Sequence, residues 1–285
     1  MSDQETNIVT FNFGSYTITA LKLLNSSCNC YIAGSETGWL KIFSITNTTH
    51  HLEQRYIYED ITDLDVLSNN SIILVDASGF IRVSVSSSIL RNISTGVGDI
   101  LKVNVLSNGN LACGFENGSI FIYNMQTGNR IIRNMTQGDR INDLEPLPSN
   151  GELLSVANSN NFIFRWNTNN GVKLSEISLG RDGICLKLID NNRVAVAVNN
   201  HHIRIYDLSN NALIKTFTGH TNIVNELEFV SDTMTLISIS VDKTIRRWNT
   251  LDASTTHLSR SNTTWTPTSI EYLYNGSKSY KDFYV

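Results

Sequence analysis

Three side chains in the last quarter of the chain have the types that form a nucleophilic catalytic triad. They are Ser238, His220 and Asp242, which correspond to the hydroxyl nucleophile, the imidazole base and the orienting carboxylate. Ser238 lies inside the apolar run 236–241, and this run predicts a strand. A hydroxyl on a strand within a sheet is out of reach of a substrate. We therefore predict that these residues are not catalytic and that the protein is not an enzyme.

Residues that can ligate metals are present, but their spacing does not suit a metal site. Cys28 and Cys30 could place two thiols on one face of a strand, yet no second pair follows at the spacing of a zinc site. The histidine pairs at 50–51 and 201–202 are adjacent in sequence, so on a strand their rings point to opposite faces. The sequence contains no glycine-rich phosphate loop. We predict no metal and no cofactor.

Composition and charge restrict the class of partner. The formal net charge is −4 and the pI is about 5.9, so bulk attraction to nucleic acid is not expected. The amino terminus lacks the charged and apolar regions of a signal peptide, and no apolar run is long enough to span a membrane. The cysteines Cys28, Cys30, Cys113 and Cys185 are unevenly spread, which favours reduced thiols over a disulfide framework. We expect an intracellular protein, cytoplasmic or nuclear, without membrane contact.

The elements that position these side chains are short strands. Between residues 219 and 249, a loop leads into the alternating run Val224-x-x-Leu227-x-Phe229, and a turn follows at 231–233. The apolar run 236–241 comes next, then a tight turn at 242–244, then a third run that ends at Trp248. This pattern predicts three antiparallel strands in a meander. A single meander cannot bury both faces, so it requires neighbours.

The meander is one copy of an internal repeat. The position of Trp248 recurs at intervals of 39 to 43 residues, and it is occupied by Phe43, Ser84, Tyr123, Trp166, Tyr206 and Trp248. A period of this length with three or four strands in each unit is typical of the blades of a propeller. The chain is therefore predicted to be all-β, as a single propeller domain of four-stranded antiparallel blades over residues 1–285, with units that end near 43, 84, 123, 166, 206 and 248.

The unit that ends at Trp248 resembles a WD repeat. The resemblance rests on Gly219-His220, on Asp242 six residues before the tryptophan, and on Trp248 itself, although Asn249 replaces the usual aspartate. In the WD-repeat β-propeller family, a histidine, a serine or threonine, an aspartate and the tryptophan are linked by hydrogen bonds across one blade. The resemblance implies this structural network for His220, Ser238, Asp242 and Trp248. Such mutual bonds also satisfy polar groups that are costly to bury alone.

The two ends of the chain predict a seventh blade. Residues 8–13 form a strand pattern with no meander before it, and residues 270–276 match a first strand and its turn. We predict a last blade built from residues 265–285 and 6–13, closed by the amino-terminal strand, because such closure removes exposed sheet edges. No third strand is available for this blade. An incomplete blade, a fragment of a longer chain and a ring of six blades therefore stay open.

Loops that share one face of the predicted propeller carry more acidic than basic residues. We take as the candidate partner-binding face Tyr16, Glu36, Asp60, Asp76, Asp99, Glu116, Asp139, Arg140, Arg181 and Asp182. A negative face around the central channel favours a basic segment of a partner protein. The alternative, which stays open, is that these acidic residues only cap turns and maintain solubility.

The resemblance implies a non-catalytic scaffold or adaptor that binds other proteins, and we expect a monomer within a larger complex. Two other functions stay open. One is a substrate-recognition subunit of a ubiquitin-ligase-like complex, although the arginine often found three residues after the tryptophan in such subunits is absent here. The other is a propeller enzyme. That function would require acidic or histidine residues converging on the channel, whereas we read the first strands of the units as mostly leucine, isoleucine and valine.

Overall fold

The structure, a computed structural model, describes residues 8–9, 17–25, 30–44, 50–55, 59–85, 88–149, 151–251, 255–260 and 283–284. Within these residues, six sheets each contain four antiparallel strands that are neighbours both in sequence and in space. A seventh, two-stranded sheet pairs the two ends of the chain. The fold is thus an all-β propeller, as predicted from the repeat.

The strands are numbered along the chain, and four consecutive strands form one blade. The strand before the blades is β1 (Ile8–Val9). Blade 1 contains β2 (Ile18–Asn25), β3 (Cys30–Ser35), β4 (Trp39–Ser44) and β5 (His50–Arg55). Blade 2 contains β6 (Ile61–Val66), β7 (Ile72–Asp76), β8 (Phe80–Val85) and β9 (Ser88–Ser94). Blade 3 contains β10 (Ile100–Val105), β11 (Leu111–Phe115), β12 (Ser119–Tyr123) and β13 (Arg130–Thr136).

The remaining blades follow the same order. Blade 4 contains β14 (Ile141–Leu147), β15 (Glu152–Ala157), β16 (Phe162–Asn167) and β17 (Lys173–Ser178). Blade 5 contains β18 (Gly183–Asp190), β19 (Arg193–Val198), β20 (Ile203–Asp207) and β21 (Leu213–Phe217). Blade 6 contains β22 (Val224–Val230), a 3-10 turn (Ser231–Thr233), β23 (Thr235–Ser240), β24 (Thr244–Asn249) and β25 (Thr255–Arg260). The last strand is β26 (Phe283–Tyr284).

The hydrophobic core lies between consecutive blades. The first strands β2, β6, β10, β14, β18 and β22 contact one another in that order. The second strands of blades 2 and 3 are buried at every residue, because a neighbouring blade covers each of their faces. For example, Val75 and Ile81 of blade 2 belong to one apolar cluster with Val103 and Phe121 of blade 3. Packing of this kind between blades, not within one, explains why a single meander requires neighbours.

A tight turn in blade 3 packs closely against a loop of blade 4. Gly118 lies in the turn between β11 and β12, with a φ of +79° that side-chain-bearing residues rarely adopt. A Cβ at this position would come within 2.6 Å of the backbone of Asp139, in the loop before β14. Both the backbone angle and the close approach therefore require glycine.

The prediction of seven blades, with an incomplete last blade left open, is corrected to six four-stranded blades in the described residues. Of the predicted last blade, β1 and β26 are described, and they form a parallel ladder in which Ile8 faces Phe283 and Val9 faces Tyr284. The termini thus meet, but two residue pairs do not make a four-stranded blade. The rest of the segments assigned to that blade, residues 265–282 and 10–13, lies outside the described residues.

The expectation of four reduced cysteines is also corrected. Cys30 is disulfide-bonded, whereas Cys113 and Cys185 are free and buried in the apolar strands of blades 3 and 5. Burial raises the pKa of the Cys185 thiol far above its ordinary value, which keeps it in the unreactive protonated form. Cys30 is therefore not in the reduced state expected of a thiol in an intracellular protein.

Candidate partner-binding face and central channel

One face of the propeller is assembled from loops of every blade, and we call it the loop face. In each blade, a backbone N–H in the turn between the second and third strands donates to a carbonyl in the loop before the first strand. The six donor–acceptor pairs are Glu36 to Thr17, Ala77 to Asp60, Glu116 to Asp99, Asn158 to Arg140, Asn199 to Asp182 and Val241 to Ile223. The two kinds of loop therefore lie side by side on the same face.

Most of the predicted partner-binding residues lie on the loop face with their side chains accessible. Asp60, Asp99, Glu116, Arg140 and Arg181 are exposed. The partly buried members of the set are Glu36, Asp139 and Asp182. Tyr16 lies outside the described residues. Without it and Asp76, the set contains six carboxylates and two guanidinium groups, so the loop face has an excess of negative charge.

Asp76 does not belong to this accessible set, which corrects its assignment. Its side chain is fully buried at the end of β7, where Oδ2 accepts a bond of 2.7 Å from Nη2 of Arg82. Its Oδ1 accepts the backbone N–H groups of Ser78 and Phe80, each at 3.0 Å. The carboxylate thus stabilises the turn and is not accessible to a partner protein. A buried charge requires hydrogen-bond partners for all its polar atoms.

Hydrogen bonds distinguish the remaining acidic residues from one another. Oδ1 of Asp139 accepts the N–H of Arg140 at 2.7 Å, and Oδ2 of Asp182 accepts from the amide of Asn199 at 2.9 Å. The carboxylates of Asp60 and Asp99, by contrast, accept no hydrogen bond from the part of the chain that the structure describes. Some carboxylates therefore cap turns, while these two point to solvent without a partner.

Blade 6 contains a continuous path of polar contacts. Nε1 of Trp248 donates to Oγ of Ser238 at 2.8 Å, and Oγ lies 2.7 Å from Nε2 of His220. Nδ1 of His220 lies 2.8 Å from Oδ2 of Asp242. A neutral imidazole satisfies the whole path if Nδ1 carries the proton and Nε2 accepts from the hydroxyl. Ser238 is completely buried, so its hydroxyl has no approach for a substrate.

The carboxylate at the end of this path also closes a turn. Burial by itself would raise the pKa of Asp242, but hydrogen bonds from Thr244, Thr221 and His220 outweigh it and lower the pKa to about 2. The backbone N–H of Thr221 donates at 2.9 Å, and so does that of Thr244. The loop, the second strand and the turn of blade 6 are therefore held by one set of bonds.

Blade 4 contains a neutral counterpart that sequence reasoning missed. Nε1 of Trp166 donates to Oγ of Ser155 at 2.8 Å, and that hydroxyl donates to Oε1 of Gln137 at 2.6 Å. Asn160 Nδ2 donates to the carbonyl of Gln137 at 2.7 Å. A positional signal existed, because Gln137 stands four residues before Ile141, just as the histidine of blade 6 stands four residues before its first strand.

The central channel is lined by the first strand of all six blades around a cavity of about 100 Å³. Its charged lining consists of Lys22, Asp63, Lys102, Asp143, Glu145, Lys187, Glu226 and Glu228. Blades 1, 3 and 5 contribute the lysines, and blades 2, 4 and 6 contribute the carboxylates. The sequence-based reading of these strands as mostly aliphatic was therefore wrong, because the polar residues alternate with the apolar ones and face the channel.

Several channel carboxylates bind the backbone of the next blade. Asp63 Oδ2 accepts the N–H of Val103 at 2.9 Å, and Asp143 Oδ2 accepts that of Leu186 at 2.7 Å. One level further along the same strand, Glu145 Oε1 accepts the N–H of Leu188 at 2.9 Å. First strands of neighbouring blades are not paired in a sheet, so these side chains supply the inter-blade bonds that backbone pairing does not.

The channel charges influence one another. Burial raises the pKa of Asp63 and of Glu145 above their ordinary values, and nearby lysines oppose the rise. Burial alone would lower the pKa of Lys102, but the carboxylates of Asp63, Asp143 and Glu226 outweigh it, so the pKa is raised. The ammonium group of Lys102 thus stays charged beside the carboxylates of the two neighbouring blades.

No group of three or more His, Cys, Asp or Glu residues suited to a metal ion occurs within the described residues. Among the same residues, no helix is long and apolar enough to cross a membrane. The expected absence of nucleic-acid and membrane contacts, and the expected cytoplasmic or nuclear location, stay predictions.

Comparison with known proteins gives consistent results. A family model described as "WD domain, G-beta repeat" matches residues 211–249. WD repeat-containing protein 89 homolog of Dictyostelium discoideum is 38% identical over 88 residues, which are 30% of this chain and 24% of that protein. WD repeat-containing protein 36 of Homo sapiens is 26% identical over 157 residues, which are 52% of this chain and 17% of that protein. The chain thus spans a quarter or less of the length of these relatives.

A solved structure supports the fold. The WD40 β-propeller domain of Doa1 superposes with a TM-score of 0.74, covering 85% of this chain and 82% of that one. The two sequences are 13% identical, so the likeness concerns the fold alone.

Proposed function

We propose that this chain, which is similar to proteins of the WD-repeat β-propeller family, is a non-catalytic scaffold that binds a basic segment of a partner protein on its loop face. Proteins of this family generally act as protein-interaction scaffolds. The chain acts as one subunit of a larger complex.

The observation that carries the proposal is the convergence of carboxylates on the loop face. The repeated bond between turn and loop places acidic residues of five blades on one surface. Asp60 and Asp99 matter most, because their exposed carboxylates accept no hydrogen bond from the described residues and are available to a cation. A surface of one sign attracts a partner segment of the opposite sign and speeds its association.

The non-catalytic part of the proposal is supported by how the polar groups are used. The hydroxyl of Ser238 is completely buried and bonded to Trp248. In the channel, the carboxylates of Asp63 and Asp143 accept backbone N–H groups of the next blade. A panel of hydrolase substrates should show no turnover. Turnover that disappears in Asp143→Asn, with the fold retained, would rule out a purely non-catalytic role.

The binding proposal is tested with a fluorescent arginine-rich peptide as the probe. We expect Asp60→Asn/Asp99→Asn/Asp139→Asn to weaken binding roughly tenfold, because each exposed ion pair contributes up to about 1 kcal/mol and 1.4 kcal/mol is a factor of ten. Fluorescence anisotropy measures the dissociation constant. Binding of the wild-type protein should also weaken as salt is added.

A matched control removes three charges away from the loop face, in Glu176→Gln/Asp190→Asn/Asp232→Asn. This variant should bind the peptide as the wild type does. Equal weakening in both triple variants would mean that net charge, not the loop face, attracts the peptide. A wild-type protein that does not bind the basic peptide, or a loop-face variant that binds it as tightly as the wild type does, would refute the proposal.

A further inference from the structure

Exposed aliphatic side chains are concentrated away from the loop face. Seven large hydrophobic side chains are exposed in the described part of the chain, and one of them, Ile223, is on the loop face. The other six lie in or just after the turns between the third and fourth strands of blades 3 to 6. We call them the rim patch: Ile131, Val172, Leu174, Leu213, Ile214 and Leu251, with exposures of 47% to 70%.

Three members of the rim patch are equivalent by strand register. On the third strands, Tyr123 pairs with Arg130, Trp166 with Lys173, and Tyr206 with Leu213. The next residue along the fourth strand is Ile131, Leu174 or Ile214, respectively. An exposed aliphatic side chain therefore recurs at one structural position in three consecutive blades, which scattered surface hydrophobics would not produce.

Contacts between blades place the turns of blades 4 and 5 against the fourth strands of blades 3 and 4. Gly171, in the turn just before Val172, lies so close to β13 that a Cβ there would come within 2.7 Å of Cγ2 of Ile132. Asn211 Nδ2, in the corresponding turn of blade 5, donates to the carbonyl of Glu176 on β17 at 3.4 Å. Each turn thus rests on the fourth strand of the preceding blade.

The same kind of contact extends the patch to blade 6. Lys215 Nζ on β21 donates to the carbonyl of Asn249 at 3.2 Å. Asn249 stands two residues before Leu251, the most exposed member of the patch. The six side chains therefore form one arc along the outer rim.

The fourth strands that carry most of the rim patch have a net positive charge, in contrast to the loop face. The fourth strands β13, β17 and β21 carry the cations Arg130, Arg133, Lys173 and Lys215 and the single carboxylate of Glu176. Four cations and one carboxylate leave a charge of +3 on these strands, although the whole chain has a net charge of −4. A partner that covers the patch must combine aliphatic side chains with carboxylates.

We propose that the rim patch is a second docking surface, which binds an acidic segment of a partner protein through its aliphatic side chains. The segment lies across the fourth strands of blades 3, 4 and 5 and places its carboxylates beside the cations of those strands. With a basic segment on the loop face, the protein would bridge two partners of opposite charge. This second surface does not depend on the loop-face proposal.

The test uses a displayed library of short random segments selected against the full chain. We expect the enriched segments to combine leucine, isoleucine or valine with aspartate or glutamate. A synthetic peptide of the most enriched sequence should bind the variant Ile131→Thr/Leu174→Thr/Ile214→Thr at least roughly tenfold more weakly than the wild type. Threonine is chosen because it is less apolar than the residues it replaces and has a β-branched side chain, which suits a strand.

Ile223→Thr is the matched control, because it removes an exposed aliphatic side chain from the loop face. It should bind the peptide unchanged, and all variants should show the wild-type thermal unfolding midpoint within a few degrees. Enrichment that yields no segment with both aliphatic and acidic residues, or unchanged binding of the enriched peptide to the triple threonine variant, would overturn the proposal. A wild-type dimer in sedimentation that the triple variant dissociates would also overturn it, because a second copy of the chain would then cover the patch.

Discussion

Blades 4 and 6 solve the same structural problem with different chemistry. In both, a buried tryptophan donates to a serine hydroxyl on the second strand, and that hydroxyl meets a side chain from the loop before the first strand. In blade 4 that side chain is the amide of Gln137, while in blade 6 it is the imidazole of His220. Both blades thus keep the hydrogen bonds that join the tryptophan, the serine hydroxyl and the loop side chain. The loop side chain is ionisable in blade 6 and neutral in blade 4.

The two blades differ in what the end of the path binds. Asn160 in blade 4 donates to the carbonyl of Gln137, whereas Asp242 in blade 6 accepts from the loop and from its own turn. A carboxylate gains from several N–H and O–H donors, and this lowers its pKa. The tryptophan and the serine are therefore common to the two blades. The carboxylate of Asp242 adds a dependence of stability on pH in blade 6.

The largest expected effect comes from the tryptophans. Trp166→Ala and Trp248→Ala should each lower the free energy of unfolding by about 3–5 kcal/mol, because a large buried ring is replaced by a cavity. Trp248 should be the more costly, since its ring also packs on Phe217 of blade 5 at 5.2 Å between centroids. Urea denaturation followed by circular dichroism gives both values. A loss below about 1 kcal/mol in either variant would contradict the role of the ring as a core anchor.

Removal of the hydroxyl should have a smaller effect that is similar in the two blades. Ser155→Ala and Ser238→Ala each leave a buried tryptophan N–H without an acceptor, which costs about 1–3 kcal/mol. The same denaturation experiment applies, with the exposed Ser178→Ala as the control that should change stability little. If only the blade 6 variant is destabilised, the two relays are not equivalent.

The smallest expected effect distinguishes the blades by pH. The pKa of Asp242 is about 2 in the folded protein, below its ordinary value of 3.8, so its stabilising contribution is present above the ordinary value. That contribution is lost as the pH falls through 3.8 towards 2. Asp242→Asn should therefore be about 1 kcal/mol less stable than the wild type at pH 7, with the difference vanishing near pH 2.

Blade 4 provides the control for this titration. Asn160→Ala removes a neutral side chain, so its difference in stability from the wild type should be the same at pH 7 and near pH 2. A loss that disappears in acid for this variant too, or a constant loss for Asp242→Asn, would show that the carboxylate of blade 6 does not cause the pH dependence.

The repeat could be predicted from the sequence because its signals are local. The signals are an aromatic residue at the end of the third strand in five of the six units, alternating apolar residues and turn residues. All of them are read within about forty residues. By the same positional reading, Gln137 could have been recognised as the counterpart of His220. It was missed because glutamine is not the residue type that the family resemblance names.

Other features could not be read from one unit. Asp76 looks like an exposed loop residue by position, but Arg82, six residues later, folds back and buries it. The channel carboxylates were overlooked because the first strands were read only for the apolar face that packs between blades. The polar face of these strands lines a channel only when six first strands surround one axis.

The sequence by itself determined the strands, the turns and the unit that repeats, because hydrophobic alternation and backbone preferences act between near neighbours. Only the tertiary structure decided the number of four-stranded blades in the described residues, the alternating charges of the channel and the contrast between an acidic loop face and a basic, aliphatic rim patch. These properties depend on which residues of different blades come together, and hydrogen bonds between blades join residues 34 to 43 positions apart.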